Sequence, residues 1–345
     1  MGSRVWARIM GAAAGLAVSL FGAAEAAGVV NLYSSRHYDT DERLYSDFET
    51  ATGIKVNRIE DEPAALIARL KAEAEASPAD IYMTTDAGRL WTAEEAGLFQ
   101  PVTSKVLAAR IPASLRHPQD LWFGFSTRAR IIFHDRARVN PASLKSYLDL
   151  ADPKWKGMVC TRSATNVYMI SLMAAMIAHH GEAKAESWAR GLWANRARTP
   201  AGGDIDQLAA IASGECGIAL ANTYYFARAL RTRVPGLENP KDTNKIGWVF
   251  PDQDGFGAHI NISGAGLLKH APNKASAIKF LEYLASDSAQ NYFAASNDEY
   301  PAVEGIAAAS EVVKLGTFKA DALNLSELGK NQAAAIRVYA KIGHK

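Results

Sequence analysis

The chain has 345 residues, of which 48% are hydrophobic and 21% are charged, and its formal net charge is +2. This length and composition are typical of a globular protein with two domains or two lobes. The charge is almost balanced and no run of like charges occurs, so the sequence argues against a nucleic-acid-binding protein.

The first residues have the pattern of a secretory signal. A basic start precedes a short apolar run, Ile9 to Phe21, and Ala24-Glu25-Ala26 then places small residues at the two cleavage-defining positions. A membrane-spanning anchor needs about 20 apolar residues, and this run is shorter. We therefore expect residues 1–26 to be a signal peptide and the mature protein to be periplasmic.

Strand and helix patterns alternate along the mature chain. Strands are predicted at Val29 to Tyr33, Ile54 to Ile59, Ala79 to Met83, Trp122 to Phe125, Ala129 to His134, Gly157 to Thr161, the segment containing Cys216, Ile246 to Phe250 and Ala258 to Leu268. Helices are predicted after Asp39, from Pro63, from Asp86 to Gly97, and at Leu144 to Leu150, Asn166 to His179, Trp188 to Asn195, Ile205 to Ser213, Phe226 to Arg231, Ala275 to Ala285, Ser288 to Ala295 and from Leu325 onward.

This alternation predicts an α/β protein with two lobes, each a mostly parallel sheet flanked by helices. The second lobe is inserted into the first, so that the chain crosses between them at least twice. We expect residues 27–128 with about 255–306 to form the first lobe. We expect residues from about 129 to 254, together with residues 307–345, to form the second lobe.

Two cysteines, Cys160 and Cys216, lie in the mature chain, each on or beside a strand pattern just upstream of a tyrosine-bearing turn. In an oxidising compartment such a pair is most economically a disulfide. Adjacent strands would bring the two sulfurs together, and closing this loop would stabilise the fold by roughly 4 kcal/mol. Two free buried thiols are the alternative.

The most informative stretch is Asn222-Thr223-Tyr224-Tyr225, between a buried-strand pattern and a helical one. Adjacent side chains on a strand point to opposite faces, but at a strand-to-helix turn both phenols can face one crevice. Asn222 or Thr223 would cap the helix, whose amino end favours phenolate. The alternative is a pair of tyrosines packed with one ring each on the surface.

Tyr38 and Tyr168 share this local context, because each follows a strand and precedes or lies in the first turn of a helix. Ligands of open α/β sheets bind outside the carboxyl ends of the strands, where such turns cluster. Four phenols there would form a metal site with oxygen donors alone. Phenolate is a hard anionic donor, so Fe(III) is the cation that this set indicates.

Four phenolates around a trivalent ion leave one excess negative charge. Arg128 and Arg228 are candidates to offset it, and Arg36 lies beside Tyr38 in the sequence. For each arginine the alternative is a solvated surface charge. His37 is a candidate fifth ligand through a ring nitrogen, or else a loop histidine that points to water.

Motifs of enzymes are missing from the sequence. It contains no nucleophile elbow, no HExxH, no phosphate-cradling glycine loop and no CxxC. Gly202-Gly203-Asp204 has the composition of a turn. We therefore expect a binding protein without enzymatic activity.

The sequence resembles the periplasmic ferric-iron-binding proteins of bacterial ABC importers, also called bacterial transferrins. The resemblance covers nearly the whole mature chain. It rests on Leu32 to Asp41 (LYSSRHYDTD), Ala79 to Trp91 (ADIYMTTDAGRLW), Trp122 to Arg130 (WFGFSTRAR), Asp149 to Gly157 (DLADPKWKG) and Asn222-Thr223-Tyr224-Tyr225.

This resemblance implies a type II periplasmic-binding-protein fold, whose two lobes close like a hinge on one iron. It also implies a membrane permease as partner, and we expect the protein to be a monomer. The tyrosine-rich class of the family uses tyrosines that correspond to Tyr38, Tyr168, Tyr224 and Tyr225, with an arginine corresponding to Arg128 or Arg228 near the metal. Another class uses a His-x-Glu in the first loop and a bound phosphate, and this chain has no glutamate at that place.

Two other functions remain as alternatives. One is a carrier of the same fold for a small anionic or organic solute, held mainly by cleft arginines. The other is a hydrolase or transferase that uses the same cleft.

Overall fold

The computed structural model describes residues 28–36 and 41–343. The predicted signal peptide, residues 1–26, lies outside the described residues, and so do the predicted ligands His37 and Tyr38. Among the described helices, none is both long enough and apolar enough to cross a membrane.

Nine strands occur in the part of the chain that the structure describes. They are β1 (Val29–Ser34), β2 (Lys55–Glu60), β3 (Ile81–Thr85), β4 (Phe123–Asp135), β5 (Val159–Cys160), β6 (Ile218–Asn222), β7 (Ile246–Val249), β8 (Ile260–Leu267) and β9 (Tyr300–Pro301).

Helices connect and cover these strands. They are α1 (Asp41–Thr52), α2 (Pro63–Glu73), α3 (Ala87–Glu95), α4 (Lys105–Arg110), α5 (Val167–His180), α6 (Glu182–Ala194), α7 (Asp204–Ser213), α8 (Thr223–Arg231), α9 (Pro240–Asn244), α10 (Lys274–Leu284), α11 (Asp287–Asn297), α12 (Ser310–Val313), α13 (Ser326–Lys330) and α14 (Gln332–Lys341).

The ends of several helices follow from local sequence. Pro63 begins α2, where its missing N–H removes no helical hydrogen bond. Asn166 caps α5 by accepting a hydrogen bond from the Tyr168 N–H. Gly53, at φ +69°, follows α1 in a conformation that residues with a Cβ rarely adopt.

The sheet has the strand order β2-β1-β3-β8-β4-β6-β5, with β7 and β9 also paired to β4. This α/β architecture confirms the predicted class, but the expectation of mostly parallel sheets needs correction. The pairs β1–β2, β1–β3 and β5–β6 are parallel, whereas every pair that involves β4 or β8 is antiparallel. Since β8 and β4 lie next to each other in the middle of the strand order, the centre of the sheet is antiparallel.

β4 is one continuous strand, and the two separate strands predicted for this segment are a second correction. The polar residues Ser126, Thr127 and Arg128 suggested an interruption, but all of β4 is buried. Ser126 and Arg128 instead donate hydrogen bonds to the buried carboxylate of Glu299. Because Ser126 and Arg128 find this hydrogen-bond acceptor inside the protein, the strand continues through them.

A disulfide joins Cys160 and Cys216, whose Cα atoms are 6.0 Å apart. Cys160 ends β5, and Cys216 lies two residues before β6, its parallel neighbour. The sequence prediction of this bond and of neighbouring strands is confirmed.

Candidate metal centre

Tyr224 and Tyr225 lie in the first turn of α8, directly after β6. Tyr224 is buried and Tyr225 is half-buried, and their ring centroids are 4.2 Å apart at an interplanar angle of 33°. Asn222 occupies the N-cap position but its side chain does not cap the helix. It accepts a hydrogen bond from Arg130 instead, which corrects the predicted capping.

The third described tyrosine of the predicted set, Tyr168, comes from the first turn of α5. Its phenol oxygen lies 3.1 Å from that of Tyr224, within hydrogen-bond distance. Adjacent corners of an octahedron with metal–oxygen bonds of about 2.0–2.1 Å, as small hard cations adopt, are about 2.9 Å apart. Two phenols from segments distant in sequence are thus placed as neighbouring donors.

A cleft of about 260 Å³ opens beside these phenols. Tyr168 and Tyr225 line it together with six residues that precede position 90. The latter are Ser35, Arg36, Glu62, Pro63, Thr85 and Arg89. Arg36 is the last described residue before His37 and Tyr38, so these two predicted ligands are adjacent in sequence to the cleft.

The predicted arginines have different surroundings. Arg128 and Arg228 each place the guanidinium carbon 6.0 Å from the ring centroid of Tyr224. Arg128 and Arg36 both form salt bridges with Glu299, and Arg36 also pairs with Asp41. Arg228 is half-buried, and no carboxylate of the described residues forms a salt bridge with it.

Two buried carboxylates support this centre, and the sequence analysis did not identify either. Glu299 bridges Arg36 and Arg128. Asp204 lies within salt-bridge distance of two further arginines whose guanidinium carbons face the ring of Tyr168. These are Arg130, at 3.0 Å from the carboxylate and 5.8 Å from the ring, and Arg162, at 3.9 Å and 5.2 Å.

A local signal existed for only one of these acids. The turn predicted at Gly202-Gly203-Asp204 is present, with Gly202 at φ +73°, and Asp204 then begins α7. An aspartate in the first turn of a helix after two glycines is a candidate for a structural contact. Glu299 carries no such signal, because its partner Arg36 is 263 residues away in the chain.

Other tyrosines are in environments that disfavour the phenolate. Tyr33, Tyr45, Tyr82 and Tyr147 are buried in the hydrophobic core, and Tyr283 is half-buried against it. Burial raises the pKa of the Tyr82 phenol above its ordinary value. These side chains therefore pack the core and are poor candidates for metal ligands.

No group of three or more His, Cys, Asp or Glu side chains suited to a metal ion occurs among residues 28–36 and 41–343. The phenol oxygens are therefore the candidate donors in that part of the molecule. Their chemistry, hard and anionic when deprotonated, fits a highly charged hard cation.

Comparison with known proteins gives the same picture. Residues 76–319 match the family model of the bacterial extracellular solute-binding proteins. Iron uptake protein A1 of Synechocystis sp. is 45% identical over 92% of this chain and 87% of its own length.

Solved structures are also similar. The Trichodesmium protein IdiA (FutA), in complex with iron and citrate ligands, has a TM-score of 0.88 and 50% identity over 92% of this chain and all of that one. Ferric iron-binding protein A of Mannheimia haemolytica, in an open conformation, has a TM-score of 0.85 and 42% identity over 92% of this chain and 99% of that one.

Proposed function

The chain belongs to the family of bacterial extracellular solute-binding proteins, and from that premise we propose that it captures ferric iron and delivers it to the permease of an ABC-type importer. The observation that carries the proposal is the 3.1 Å separation of the Tyr168 and Tyr224 phenol oxygens beside an open cleft. The similar Trichodesmium protein holds iron and citrate.

We assign Tyr168, Tyr224 and Tyr225 as iron ligands, with Tyr38 as the fourth and His37 as a candidate fifth. Each phenol binds the metal after losing its proton, so the cation displaces protons when it binds. With four phenolates on Fe(III) the site carries one excess negative charge. Arg228 is suited to offset it, because Glu299 and Asp41 already neutralise the charges of Arg36 and Arg128.

The proposed lobes follow from the pairing of β4. Its residues 123–129 pair with β8, and its residues 130–135 pair with β6 and β7. This change of partners supports a boundary near residue 128, with 27–128 and about 255–306 on one side and about 129–254 and 307–345 on the other. Iron that contacts tyrosines of both lobes would stabilise the closed arrangement.

The proposal also covers the export of the protein and its oligomeric state. Residues 1–26 would be removed as a signal peptide, and the mature protein would act in the periplasm as a monomer. Its role is transport rather than catalysis, as membership of the extracellular solute-binding family indicates.

The visible spectrum and the metal content of the purified protein test this function. Tyrosinate bound to ferric iron absorbs visible light, so ferric loading should produce a coloured protein with one iron per chain. A protein that stays colourless and contains almost no iron after loading would refute the proposal. Binding of a small carboxylate or phosphate by such a colourless protein would instead support an anion carrier.

A further inference from the structure

We propose that Glu299 is a positioning residue for the iron site, which holds Arg36 and Arg128 in one fixed arrangement. It would thereby link the first loop, which contains Tyr38, to the tyrosine pair on α8. This inference rests on the proposed function, but it makes a claim about the protein without iron that is tested separately.

The carboxylate of Glu299 is 1% exposed and accepts hydrogen bonds from four side chains. Arg128 donates from Nη2 at 2.8 Å, and Arg36 from Nη1 at 3.4 Å. The hydroxyls of Ser126 and Ser263 donate at 2.6 and 3.5 Å. One side chain between α11 and β9 thus joins three other parts of the chain.

The first of these parts is the loop after β1. The guanidinium of Arg36 binds Asp41 through Nε at 3.0 Å and through Nη2 at 3.3 Å. Arg36 and Asp41 flank residues 37–40, which include His37 and Tyr38. A carboxylate that fixes the Arg36 side chain therefore also fixes the contact between the two ends of this ligand-bearing segment.

The second part is β4, whose Arg128 faces the tyrosine pair. Arg128 donates to Glu299 and to Ser263, and its guanidinium carbon lies 6.0 Å from the ring centroid of Tyr224. Because Glu299 orients this guanidinium, it positions one of the two cations that face Tyr224. The same carboxylate therefore binds both the arginine that precedes residues 37–40 and an arginine beside Tyr224.

Loss of the Glu299 charge would change iron binding in two opposite ways, through the electrostatic potential at the site and through the positions of the two arginines. Burial alone favours the protonated acid, but Arg128 and Arg36 hold the pKa of Glu299 below its ordinary value of 4.5. Without this anion the positive charges of Arg36 and Arg128 are less compensated, and the added positive potential would favour phenolate and tighten iron binding. Loss of positioning would weaken it.

The first experiment is hydrogen exchange of the iron-free protein with Glu299→Gln, which removes the charge and keeps the size. We expect faster exchange both in residues 29–36 and in the first turns of α8. The matched control is Glu94→Gln. Glu94 accepts a hydrogen bond from Trp122 and lies 3.0 Å from His117, but it does not line the cleft. The control should leave both segments unchanged.

Unchanged exchange in either segment of Glu299→Gln would overturn the inference, whether or not the protein binds iron. A wild-type protein that takes up no iron would instead refute the proposed function and leave the exchange result as the test of positioning.

The second experiment measures iron affinity by competition with nitrilotriacetate, together with the visible band. We expect Glu299→Gln to weaken iron binding by about 10- to 100-fold, the range known for residues that orient metal ligands, and to shift the band. Equal or tighter binding with an unchanged band would overturn the inference and identify a charge effect alone. If Glu299→Gln does not fold, Ser126→Ala removes one of the hydroxyls that orient Glu299 without changing any charge, and it should weaken binding in the same direction.

Discussion

Two buried acids, Asp204 and Glu299, each bind two arginines near the candidate tyrosine ligands, but their partners come from different parts of the chain. The Asp204 cluster, which we define as Asp204 with Arg130, Arg162 and the N–H of Asn222, lies within residues 130–222. The Glu299 cluster, Glu299 with Arg36, Arg128 and the two serines that it binds, joins segments from positions 36 to 299.

The candidate tyrosine ligands are therefore supported by two clusters that differ in how far apart their residues lie in the sequence. The Asp204 cluster and Tyr168 belong to one stretch of chain that also contains the disulfide. The Glu299 cluster exists only when the first loop, β4 and the segment after α11 are packed together. The Tyr168 side should therefore be rigid before iron binds, whereas the Tyr38 side should depend on the arrangement of distant segments.

The largest effect on stability is expected from Asp204→Ala. It leaves the buried guanidinium of Arg130 without its carboxylate partner, and breaking a buried ion pair in this way costs about 3–5 kcal/mol of unfolding free energy. Urea denaturation measures this change. Asp254→Ala, at an exposed position, serves as the control and should stay within about 0.5 kcal/mol of the wild type.

Removal of the disulfide should have the next largest effect. Replacing both Cys160 and Cys216 by serine should lower the unfolding free energy by about 2–4 kcal/mol, because the unfolded chain is no longer constrained. In hydrogen exchange, the loosening should affect the Asp204 cluster more than the Glu299 cluster. Equal loosening of both would show that the two clusters are not independent.

Tyr224 is the point at which the two clusters meet, since its phenol contacts Tyr168 and its ring faces Arg128. Tyr224→Phe should weaken iron binding by more than about 100-fold, beyond the effect of an outer residue, and should change the visible band. Spectroscopic iron titration measures both. Tyr283→Phe alters a half-buried phenol of the core and should change neither; preserved affinity in Tyr224→Phe would place the site elsewhere.

The remaining predictions concern pH, and the first involves His259, which lies near Arg130 of the Asp204 cluster. Burial, and then the charges of Arg130 and His179, lower the pKa of His259 from 6.5 to about 3. The unfolded chain therefore binds a proton that the folded protein excludes, so stability falls as pH drops below 6.5, by about 1.4 kcal/mol per unit at most. His259→Gln should flatten this slope, whereas the exposed His270→Gln should not.

The contribution of Glu299 to stability should change at a lower pH than that of His259. Its folded pKa is depressed from 4.5, so its stabilisation is fully present above that value and is lost as pH falls through the folded pKa. The stability difference between the wild type and Glu299→Gln should therefore persist from pH 7 to about 5 and shrink at more acidic pH. A constant difference down to pH 3 would contradict an ionised Glu299.

The sequence predicted the local structure around the candidate ligands Tyr168, Tyr224 and Tyr225. Tyr224 and Tyr225 were identified because a buried strand pattern gives way to a helical one beside them, and Tyr168 because Asn166 begins a helix. Hydrophobic pattern also located nearly all the strands. It could not show strand direction, because parallel and antiparallel pairing of β4 and β8 depends on the path of the whole chain.

Contacts between distant residues account for what sequence reasoning missed. Ser126 and Arg128 look like residues of a loop until Glu299 is placed next to them. Glu299 in turn has no pattern of its own, since its partners lie at positions 36, 126, 128 and 263. Such a cluster is visible only in three dimensions.

The placement of β4 and β8 has a consequence for how the chain assembles as it emerges. β8 is the neighbour of both β3 and β4 in the first half of the sheet, yet it ends only at Leu267. β1, β2 and β3 therefore cannot close their sheet until more than three-quarters of the chain is available. Pairing between segments so far apart in sequence is slow, so the edge of β3 that β8 covers stays exposed until the later part of the chain reaches it.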